Sequence, residues 1–501
     1  MADSKREIER KYESEDSGLP DLTGVTGVAA VADKGVAHLD ATYYDTLDER
    51  LAASSVTLRR RTGGSDAGWH LKFPVAPGVR DELHAPLSDT LPDELAGLVR
   101  SRVRDGELLP VVRLRCDRDV RHLVDADGVL LAEVAVDAVH ADRLTAGGGK
   151  AQWTEIEVEL ADGGDPALLD KVEKRLRKAG VRPSASASKL ARALAETVPA
   201  KKRPSAPAGD PVTAGDHVLA YVRTQRDAIV ELDPAVRRDT EDSVHSMRVA
   251  TRRLRSTFKS FGNVLDRKVT DPVGDELKWL AGELGLDRDR EVLTARLTAA
   301  LDEVPADLVR GPLPERLHSW SSAEHGSARG ELLGVLDSRR HLALLDTLDA
   351  LIADPPLRKA AGKKPRKVIA KAVQKDFRKV TGLVQQAREL EPGTDRDVAI
   401  HEARKKTKRT RYAAEAGGPA LGKPAKNLVK SMKALQNLLG EHQDSVMARQ
   451  TIRELSAVAH AAGESAFTYG LLHEREAQRA ARVEAELPGF WDGIKDGAAS
   501  L

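Results

Sequence analysis

The hydrophobic and polar positions of the chain follow two different periods. Up to about Thr197, apolar and polar residues alternate in short segments, separated by turn residues such as Gly63-Gly64. This period of two is typical of β-strands, and a helical pattern at 165–179 precedes the segment SASASKLARAL. Many short strands with few helices predict an antiparallel sheet that closes into a barrel. The strand segments are EIERKY, SVTLRRR, WHLKF, VVRLRC, LLAEVAV and TEIEVEL.

A segment rich in Pro, Ala and Gly, at 198–216, separates this half from one with a helical period. Beyond it the apolar residues recur at i, i+3, i+4 and i+7, as in HVLAYVRTQRDAIVEL and NLVKSMKALQNLLG. We therefore expect an α+β protein of two domains. The β-domain would span 1–197, a linker would span 198–215, and an all-helical domain would span 216–501.

The helical half contains an internal repeat. HSMRVATRRLR, from His245, aligns without a gap with HEARKKTKRTR, from His401. About thirty residues after each start, KWLAGELGLDRD from Lys278 aligns with KALQNLLGEHQD from Lys433. Two such blocks in the same order indicate a duplication, and we expect two helical bundles related by a pseudo-twofold axis.

Composition and charge narrow the class of protein. The 79 basic residues are almost balanced by 78 acidic ones, so the formal net charge is only +1 and any basic site must be a local concentration. A single cysteine, Cys116, rules out an internal disulfide and suits a reducing compartment. The N-terminus lacks an apolar signal region, and no apolar run is long enough to span a membrane. We expect a cytoplasmic protein.

Charged side chains share faces of the expected strands, because alternate residues of a strand point the same way. An ordinary sheet with one solvated face would also be polar there. Solvated faces usually mix charges, however, whereas these faces are mostly acidic or mostly basic, which favours closure with the charged faces inward. The groups are Glu7, Glu9 and Lys11; Arg59 and Arg61; His70 and Lys72; Arg113 and Arg115; Glu133 and Asp137; and Glu155, Glu157 and Glu159.

A lumen with acidic and basic strands would suit a complex of a metal ion with a phosphate chain. Clustered carboxylates hold Mg²⁺ or Mn²⁺, since both ions prefer oxygen ligands. Arg and Lys side chains neutralise phosphate oxygens. Phosphoryl transfer needs little besides positioning, charge neutralisation and an oriented water.

The spacing of Glu7, Glu9 and Lys11 resembles the ExExK signature of the CYTH family, the triphosphate tunnel metalloenzymes. The later charged pairs, and SASASKLARAL with Lys189, follow in the family's order over residues 1–197. The resemblance implies an eight-stranded antiparallel tunnel that binds triphosphates with Mg²⁺ or Mn²⁺. It implies catalytic roles for Glu7, Glu9, Lys11 and Glu133; metal ligation by Glu7, Glu9, Glu155, Glu157 and Glu159; and phosphate binding by Lys11, Arg59, Arg61, Lys72, Arg113, Arg115 and Lys189.

The first repeated helix carries a basic stripe. In a helix, the five residues of the stripe fall within about 80° of arc. A solvated surface face is the ordinary explanation for such a run. This stripe, however, contains no acidic partner at i+4, and it recurs on the duplicate, where a histidine again begins it. An anion site is better supported than a metal site, because the usual ligand spacing is absent. The stripe is His245, Arg248, Arg252, Arg255 and Lys259, and its copy is His401, Arg404, Lys408 and Arg411, with Glu415 opposite Lys259.

Each repeated block has a His with an Arg three residues later, then RRxR or KRxRY, and LG–D about thirty residues further on. This pattern resembles the CHAD family, the conserved histidine alpha-helical domain. The resemblance covers residues 212–501 and implies two four-helix bundles around a pseudo-twofold axis, with a basic surface that binds inorganic polyphosphate. Asp289 and Asp444 would orient basic side chains. The implied polyphosphate-binding residues are His245, Arg248, Arg252, Arg253, Arg255, Lys259, Lys278, His401, Arg404, Lys408, Arg409, Arg411, Tyr412 and Lys433.

Together these patterns predict a metal-dependent inorganic triphosphatase joined to a polyphosphate-binding module. Tripolyphosphate is the preferred substrate because aromatic residues make up only 3% of the chain, which leaves few platforms for base stacking. The helical half would hold long chains or localise the protein to polyphosphate granules. Two alternatives stay open: a tunnel that only binds, and a nucleic-acid-binding module, which the near-neutral charge makes less favourable.

Overall fold

The computed structural model describes residues 3–14, 18–145, 147–197, 210–322 and 325–498. These residues divide into two compact units, Met1–Pro207 and Ala208–Leu501. Most of the expected linker, 198–209, lies outside the described residues. Within the described ranges, the side chains of residues 3, 286–289, 321, 322, 325–328 and 496–498 are outside the description as well.

The first unit is a ring of eight antiparallel strands, as the alternating segments predict. The strands follow the order β5-β4-β3-β2-β6-β7-β8-β1, and the ring closes because β5 also pairs with β1. A two-residue strand, β9, extends the sheet beside β1. The strands are β1 (Asp3–Glu13), β2 (Ala30–Asp45), β3 (Thr57–Thr62), β4 (Gly68–Ala76), β5 (Val79–Pro86), β6 (Leu109–Val124), β7 (Leu130–Arg143), β8 (Lys150–Leu160) and β9 (Arg182–Pro183).

Four helices belong to this unit, and two of them cover the outside of the ring. The apolar faces of β1, β7 and β8 pack on Leu169 and Val172 of α3, and those of β3, β4 and β5 pack on Leu95 and Val99 of α2. Because these apolar faces point outward, the alternate charged faces point into the ring. The helices are α1 (Arg50–Ala53), α2 (Asp93–Val103), α3 (Ala167–Lys178) and α4 (Lys189–Glu196).

Helix α4 fills one end of the ring. Its buried side chains Leu190 and Leu194 pack on the inward-facing side chains of Leu114, Val139 and Trp153. At this end the inner faces of β2, β6, β7 and β8 are therefore apolar, and the charged part of the lumen begins only beyond the helix. This end of the ring is thus closed by an apolar plug.

The described elements of the second unit are helices, as its apolar period predicts, apart from an isolated β-bridge between Leu265 and Leu357. No described helix is long and apolar enough to cross a membrane. The helices are α5 (Ala214–Arg237), α6 (Ser243–Ser260), α7 (Arg267–Glu283), α8 (Leu286–Asp302), a short 3₁₀ turn (Ala306–Leu308), α9 (Leu313–Ser322), α10 (His325–Asp337), α11 (Arg339–Ala353), α12 (Pro365–Glu389), α13 (Thr394–Ala416), α14 (Gly418–Leu421), α15 (Lys423–Ala461) and α16 (Phe467–Ala498).

The sequence repeat is also a repeat of structure. Helix α6 packs between α5 and α7, and its copy α13 packs between α12 and α15. The two repeated helices also contact each other. One apolar core runs through both halves, with Leu254 and Phe258 from α6 and Ile400 and Ala413 from α13. The two basic stripes are consequently carried by neighbouring helices.

Candidate active site and anion-binding surface

The ring encloses a cavity of about 740 Å³ lined by charged side chains. Strand register brings the carboxylates together, because Glu9 lies opposite Glu159 and Glu133 also lies opposite Glu159 on the other side. Glu7 and Glu9 are only 5% and 7% exposed. Glu7 and Glu9 of β1, Glu133 of β7, and Glu157 and Glu159 of β8 therefore line one cavity.

Lysines neutralise part of this acidic side. Lys72 donates to Glu7 at 2.7 Å, and Lys11 donates to Glu9 at 2.9 Å and also to Glu157. Burial disfavours the ionised form of Glu9, but Lys11 and Lys72 together outweigh it, and the pKa of that carboxyl is lowered. Burial and the facing Glu7 raise the pKa of Glu159. A further cation beside Glu159 would stabilise its ionised form.

The basic side of the lumen is formed by β3 and β4. Arg59 donates to the hydroxyl of Tyr43 at 3.3 Å, and Arg61 pairs with Asp66. Burial, Arg59 and Arg118 together lower the pKa of Arg61 to about 9. Cations this crowded favour an incoming phosphate, because its negative oxygens would relieve their mutual repulsion.

At the plugged end, Lys189 is surrounded by carboxylates. Its amine lies 2.8 Å from Asp137, 2.8 Å from Glu155 and 2.5 Å from Glu157. Ser188 caps α4 by accepting a hydrogen bond from the backbone of Ala191, so the lysine begins a fixed helix. Arg118 also pairs with Asp137, at 2.7 Å. Glu155, expected as a metal ligand, belongs to this buried network and not to the open lumen.

Two residues expected to bind phosphate, Arg113 and Arg115, point away from the lumen. Their side chains are 49% and 55% exposed, and they pair with Asp40 at 2.5 Å and with Asp142 at 2.6 Å. The charged face of this part of β6 was taken as the inner face, and that expectation is wrong. The inner face here is apolar because α4 packs on it, and the first inward cation on β6 is Arg118.

Several lumen residues were absent from the expected set. Arg118 is one, and Arg80 and Glu82 of β5 also line the cavity. The alternation in VRDELH could have revealed the β5 pair by the same period of two. Tyr43 carries no such signal, because an inward tyrosine and a core tyrosine look alike in sequence. His70 was expected to face inward and does so, but both ring nitrogens are engaged, with Glu82 at 2.8 Å and the Asp66 carbonyl at 2.9 Å.

In the helical unit, the repeated glycines make room for the repeated arginines. A Cβ at Gly285 would lie 2.5 Å from the guanidinium of Arg248, and one at Gly440 would lie 3.4 Å from that of Arg404. The same pair of positions is therefore in contact in both halves. The two glycines follow the first histidine of their repeats at similar distances, 40 residues from His245 to Gly285 and 39 from His401 to Gly440.

The two stripes meet at four side chains, Arg248 and Arg252 of α6 and Arg404 and Lys408 of α13, which we call the central cluster. Burial, Arg404, Arg252 and Arg248 lower the pKa of Lys408 to about 7, and Asp444 opposes that shift. Asp444 lies beside the cluster as expected, whereas the side chain of Asp289 is outside the described residues. The cluster concentrates cations from both halves on one place.

The histidines differ between the halves. His401 interacts through Nδ1 with the amide oxygen of Gln443, and burial and Lys405 lower its pKa. His245 is exposed. A lowered pKa makes His401 a neutral hydrogen-bonding group in the absence of an anion, and not a permanent cation.

Three residues expected on the binding surface have internal partners. Arg253 donates to Glu415 at 3.0 Å, Arg409 donates to Asp376 at 3.0 Å, and Tyr412 is buried in the core. They lie off the arc of the stripe, so the structure places them among supporting side chains. Arg411 lies over the ring of Tyr412. Of the remaining expected residues, Arg255 and Lys259 continue the α6 stripe, and Lys278 and Lys433 are exposed.

Comparison with known proteins agrees with this division. The CYTH domain model matches residues 5–194, and the CHAD domain model matches residues 220–453. Two proteins of Mycobacterium tuberculosis, from the strains CDC 1551 / Oshkosh and H37Rv, are each 39% identical over 497 residues. The match covers 96% of this chain and 94% of each relative. Both relatives are described as uncharacterized.

Several solved structures are similar to part of the chain. PptA from Streptomyces chartreusis is 21% identical with a TM-score of 0.48, over 56% of this chain and 99% of that one. The CHAD domain from the plant Ricinus communis is 26% identical with a TM-score of 0.45, over 60% and 97%. A Hippeastrum protein, studied as an adenylyl cyclase and described as having a dominant triphosphatase activity, is 17% identical with a TM-score of 0.24, over 38% and 97%.

A closed antiparallel ring with a charged lumen, followed by a duplicated helical unit, defines a triphosphate-tunnel protein with an appended helical module. The chain belongs to the family in which a CYTH domain is followed by a CHAD domain. CYTH proteins are metal-dependent and include triphosphatases and cyclases.

Proposed function

We propose that the tunnel hydrolyses inorganic tripolyphosphate with Mg²⁺ or Mn²⁺, and that the helical unit binds long-chain polyphosphate. The observation that carries the proposal is the arrangement of the lumen, where carboxylates of β1 and β8 face cations of β3 and β4 across one cavity. A phosphate chain with a divalent cation has this same division of charge, which supports the assignment of substrate class.

The residues of the acidic side fit a hard divalent cation. Their donors are carboxylate oxygens, the ligands that Mg²⁺ and Mn²⁺ prefer. Burial and, after it, the facing Glu7 raise the pKa of Glu159 although Lys5 donates to this carboxylate at 2.6 Å, so a cation between Glu7 and Glu159 would stabilise both in the ionised form. Glu7, Glu9 and Glu159 would hold the ion, which would supply charge neutralisation at the phosphate oxygens.

The chain's own side chains would do the rest. Arg59, Arg61 and Lys72 would hold the phosphate oxygens and fix the chain along the lumen. Glu133, at the open part of the cavity, would accept a hydrogen bond from the attacking water and orient it. Lys11 would help to keep Glu9 ionised, as the lowered pKa of the Glu9 carboxyl indicates.

The charges of the helical unit support a role in binding. Its cations meet in the central cluster, which has the charge to hold a polyanion. A polyphosphate chain fits this surface better than a nucleic acid, because aromatic residues make up only 3% of the chain and offer few places for bases to stack.

Phosphate release measured with Mg²⁺ and with Mn²⁺, on tripolyphosphate, long polyphosphate, ATP and thiamine triphosphate, tests the tunnel. We expect tripolyphosphate to be hydrolysed fastest and Glu9→Ala to abolish the release. Arg113→Ala, on the outer face of the ring, is the matched control and should keep full activity. Equal inactivity of wild type and Glu9→Ala would support a tunnel that only binds.

Competition tests the helical unit. Labelled long-chain polyphosphate bound to the full chain should resist displacement by RNA at equal phosphate concentration. Displacement by RNA would instead favour a nucleic-acid-binding module.

A further inference from the structure

Helix α12 carries a row of exposed cations outside the site described above. Lys367, Lys371, Lys375, Arg378 and Lys379, which we call the α12 stripe, are all exposed. At 100° per residue they fall within about 120° of the helix, and the row is about 18 Å long. The opposite face is buried in the core through Ile369, Val373 and Val380.

The stripe is not neutralised by its own helix. Within the described part of the chain, Lys379 lies 3.8 Å from Asp376, while the other four side chains make no ion pair or hydrogen bond. Asp376 itself is engaged by Arg409 at 3.0 Å. Like charges at i and i+4 destabilise a helix, and the stripe contains three such steps. An exposed face elsewhere in the chain uses opposite charges at this spacing, in Arg267 with Asp271.

The α12 stripe is continuous with the α6 stripe. Arg409 donates to the backbone carbonyl of Lys259, at the end of α6, and to Asp376, in the middle of α12. Burial and Arg255 lower the pKa of Lys259 against the opposing Asp275, and burial and Arg409 lower that of Lys379. Cations therefore follow one another from Lys259 across Arg409 to Lys379, and the lowered pKa values of the two lysines show that the acids beside them, Asp275 and Asp376, do not offset burial and the neighbouring cations.

We propose that the α12 stripe is a second binding segment for a polyphosphate chain, reached only by chains long enough to extend from the central cluster along α6. The inference rests on the proposed binding of polyphosphate by the helical unit, and it adds a chain-length preference. A straight row of cations about 6 Å apart suits a linear polyanion, whereas a compact ligand needs donors that converge on a point. Once one end of a chain is held, its other end meets the stripe at high effective concentration.

The test compares Lys367→Gln/Lys371→Gln/Lys375→Gln with wild type in the full chain, by fluorescence anisotropy of labelled polyphosphate. Two chain lengths are compared: under the proposal, a chain of about 100 phosphates reaches both the central cluster and the α12 stripe, whereas one of about 10 stays at the central cluster. We expect affinity for the long chain to fall about tenfold. The slope of log affinity against log salt concentration should become shallower by about 2, by analogy with single-stranded nucleic acid. Affinity for the short chain should be unchanged.

Two matched variants control for net charge and for folding. Lys171→Gln/Lys174→Gln/Lys178→Gln removes the same charge from exposed positions on α3 and should bind both chains as wild type does. Lys367→Arg/Lys371→Arg/Lys375→Arg keeps the charge and should keep the affinity for the long chain.

Three results would overturn the inference. The first is unchanged long-chain affinity in the α12 variant while Arg252→Ala/Lys408→Ala weakens it, which would leave the proposed function standing. The second is an equal loss in the α12 and α3 variants, which would make the effect one of net charge. The third is single-stranded RNA of equal length binding the stripe more tightly than polyphosphate. No binding of polyphosphate by wild type would instead refute the proposed function itself.

Discussion

The tunnel lumen and the central cluster both gather cations, but the acidic side of the lumen pairs its lysines with carboxylates, whereas the central cluster places cations beside one another. In the lumen, Lys189 has three carboxylates within 2.8 Å, and Lys11 has two carboxylate partners. In the central cluster, Lys408 lies among arginines, and its pKa falls to about 7 through burial and Arg404.

The difference separates two kinds of anion site. Lysines paired with carboxylates, as on the acidic side of the lumen, can exchange partners when a substrate and a metal ion arrive, which suits catalysis. Cations that lower the pKa of a neighbour, as around Lys408, gain most when a polyanion arrives, which suits binding. Each of the following predictions changes one region and should leave the other unaffected.

The largest expected effect is on turnover. Glu7→Gln/Glu9→Gln removes two lumen charges and should lower tripolyphosphate hydrolysis by about 10³-fold, since charge stabilisation is usually the largest catalytic term. Long-chain polyphosphate binding should stay as in wild type, because the central cluster is untouched. Phosphate release and anisotropy measured on the same preparation check both halves of the statement. Loss of binding together with turnover would mean that the two functions share one site.

The next effect is on stability. Lys189→Ala leaves Asp137, Glu155 and Glu157 buried around a missing cation, and removal of one partner from a buried ion pair costs about 3–5 kcal/mol. Lys408→Met removes an amine whose pKa the folded state lowers to about 7, so this variant should be at least as stable as wild type. Urea denaturation of both variants gives the comparison. A similar loss for Lys408→Met would show that its amine is compensated in the folded state.

The third effect is on polyanion affinity. Arg252→Ala/Lys408→Ala removes one cation from each half of the central cluster and should weaken long-chain polyphosphate binding about 30-fold, as expected for two charge-assisted contacts. Hydrolysis of tripolyphosphate should not change. Titrations at several salt concentrations measure both the affinity and its salt dependence. Unchanged binding would place the polyanion elsewhere on the helical unit.

A smaller effect is expected from pH. Because the pKa of Lys408 is lowered to about 7, its amine is mostly neutral above that value and cationic below it. Polyphosphate affinity should therefore rise as pH falls from about 8 to about 6, by about three- to tenfold for one added cation. Lys408→Arg copies the residue of the other repeat, Arg252, and should bind tightly over the whole range. The difference in pH dependence between wild type and Lys408→Arg separates titration of Lys408 from titration of the polyphosphate itself.

The smallest effect distinguishes the two repeats. A methyl group at Gly285 would meet the Arg248 guanidinium at 2.5 Å, whereas one at Gly440 would meet Arg404 at 3.4 Å. Gly285→Ala should therefore weaken polyphosphate binding by about two- to threefold through a displaced arginine, and Gly440→Ala should leave it almost unchanged. Parallel titrations of the two variants measure this difference. A larger loss in Gly440→Ala would mean that Arg404 needs its present position more strictly than Arg248 does.

Local sequence patterns predicted most of the fold and many lumen residues. The period of two placed Glu7, Glu9 and Lys11 on one inward face, and the repeat from His245 to His401 predicted a repeated pair of helices. The period does not say which face of a strand is inside, however. On β6 the answer depends on α4, which is distant in sequence, so Arg113 and Arg115 were assigned to the lumen and Arg118 was missed.

The basic stripes of α6 and α13 show a similar limit of prediction from sequence. The resemblance carried over every basic position of the motif, yet Arg253 and Arg409 pair with Glu415 and Asp376, which lie far along the chain. An exposed arginine and one held by a distant carboxylate have the same local sequence. Only tertiary structure separates the cations that face a ligand from those that hold the helices together.

The apolar plug formed by α4 has a consequence for how a polymer could be processed. Because Leu190 and Leu194 fill one end of the ring, a chain cannot be threaded through it. Polyphosphate would have to enter by a terminus and stop at Lys189, so cleavage would release units from the end of the chain. Under the proposed function the protein is then an exo-acting enzyme, and partial digests of long polyphosphate should contain orthophosphate and slightly shortened chains, with no mid-length fragments.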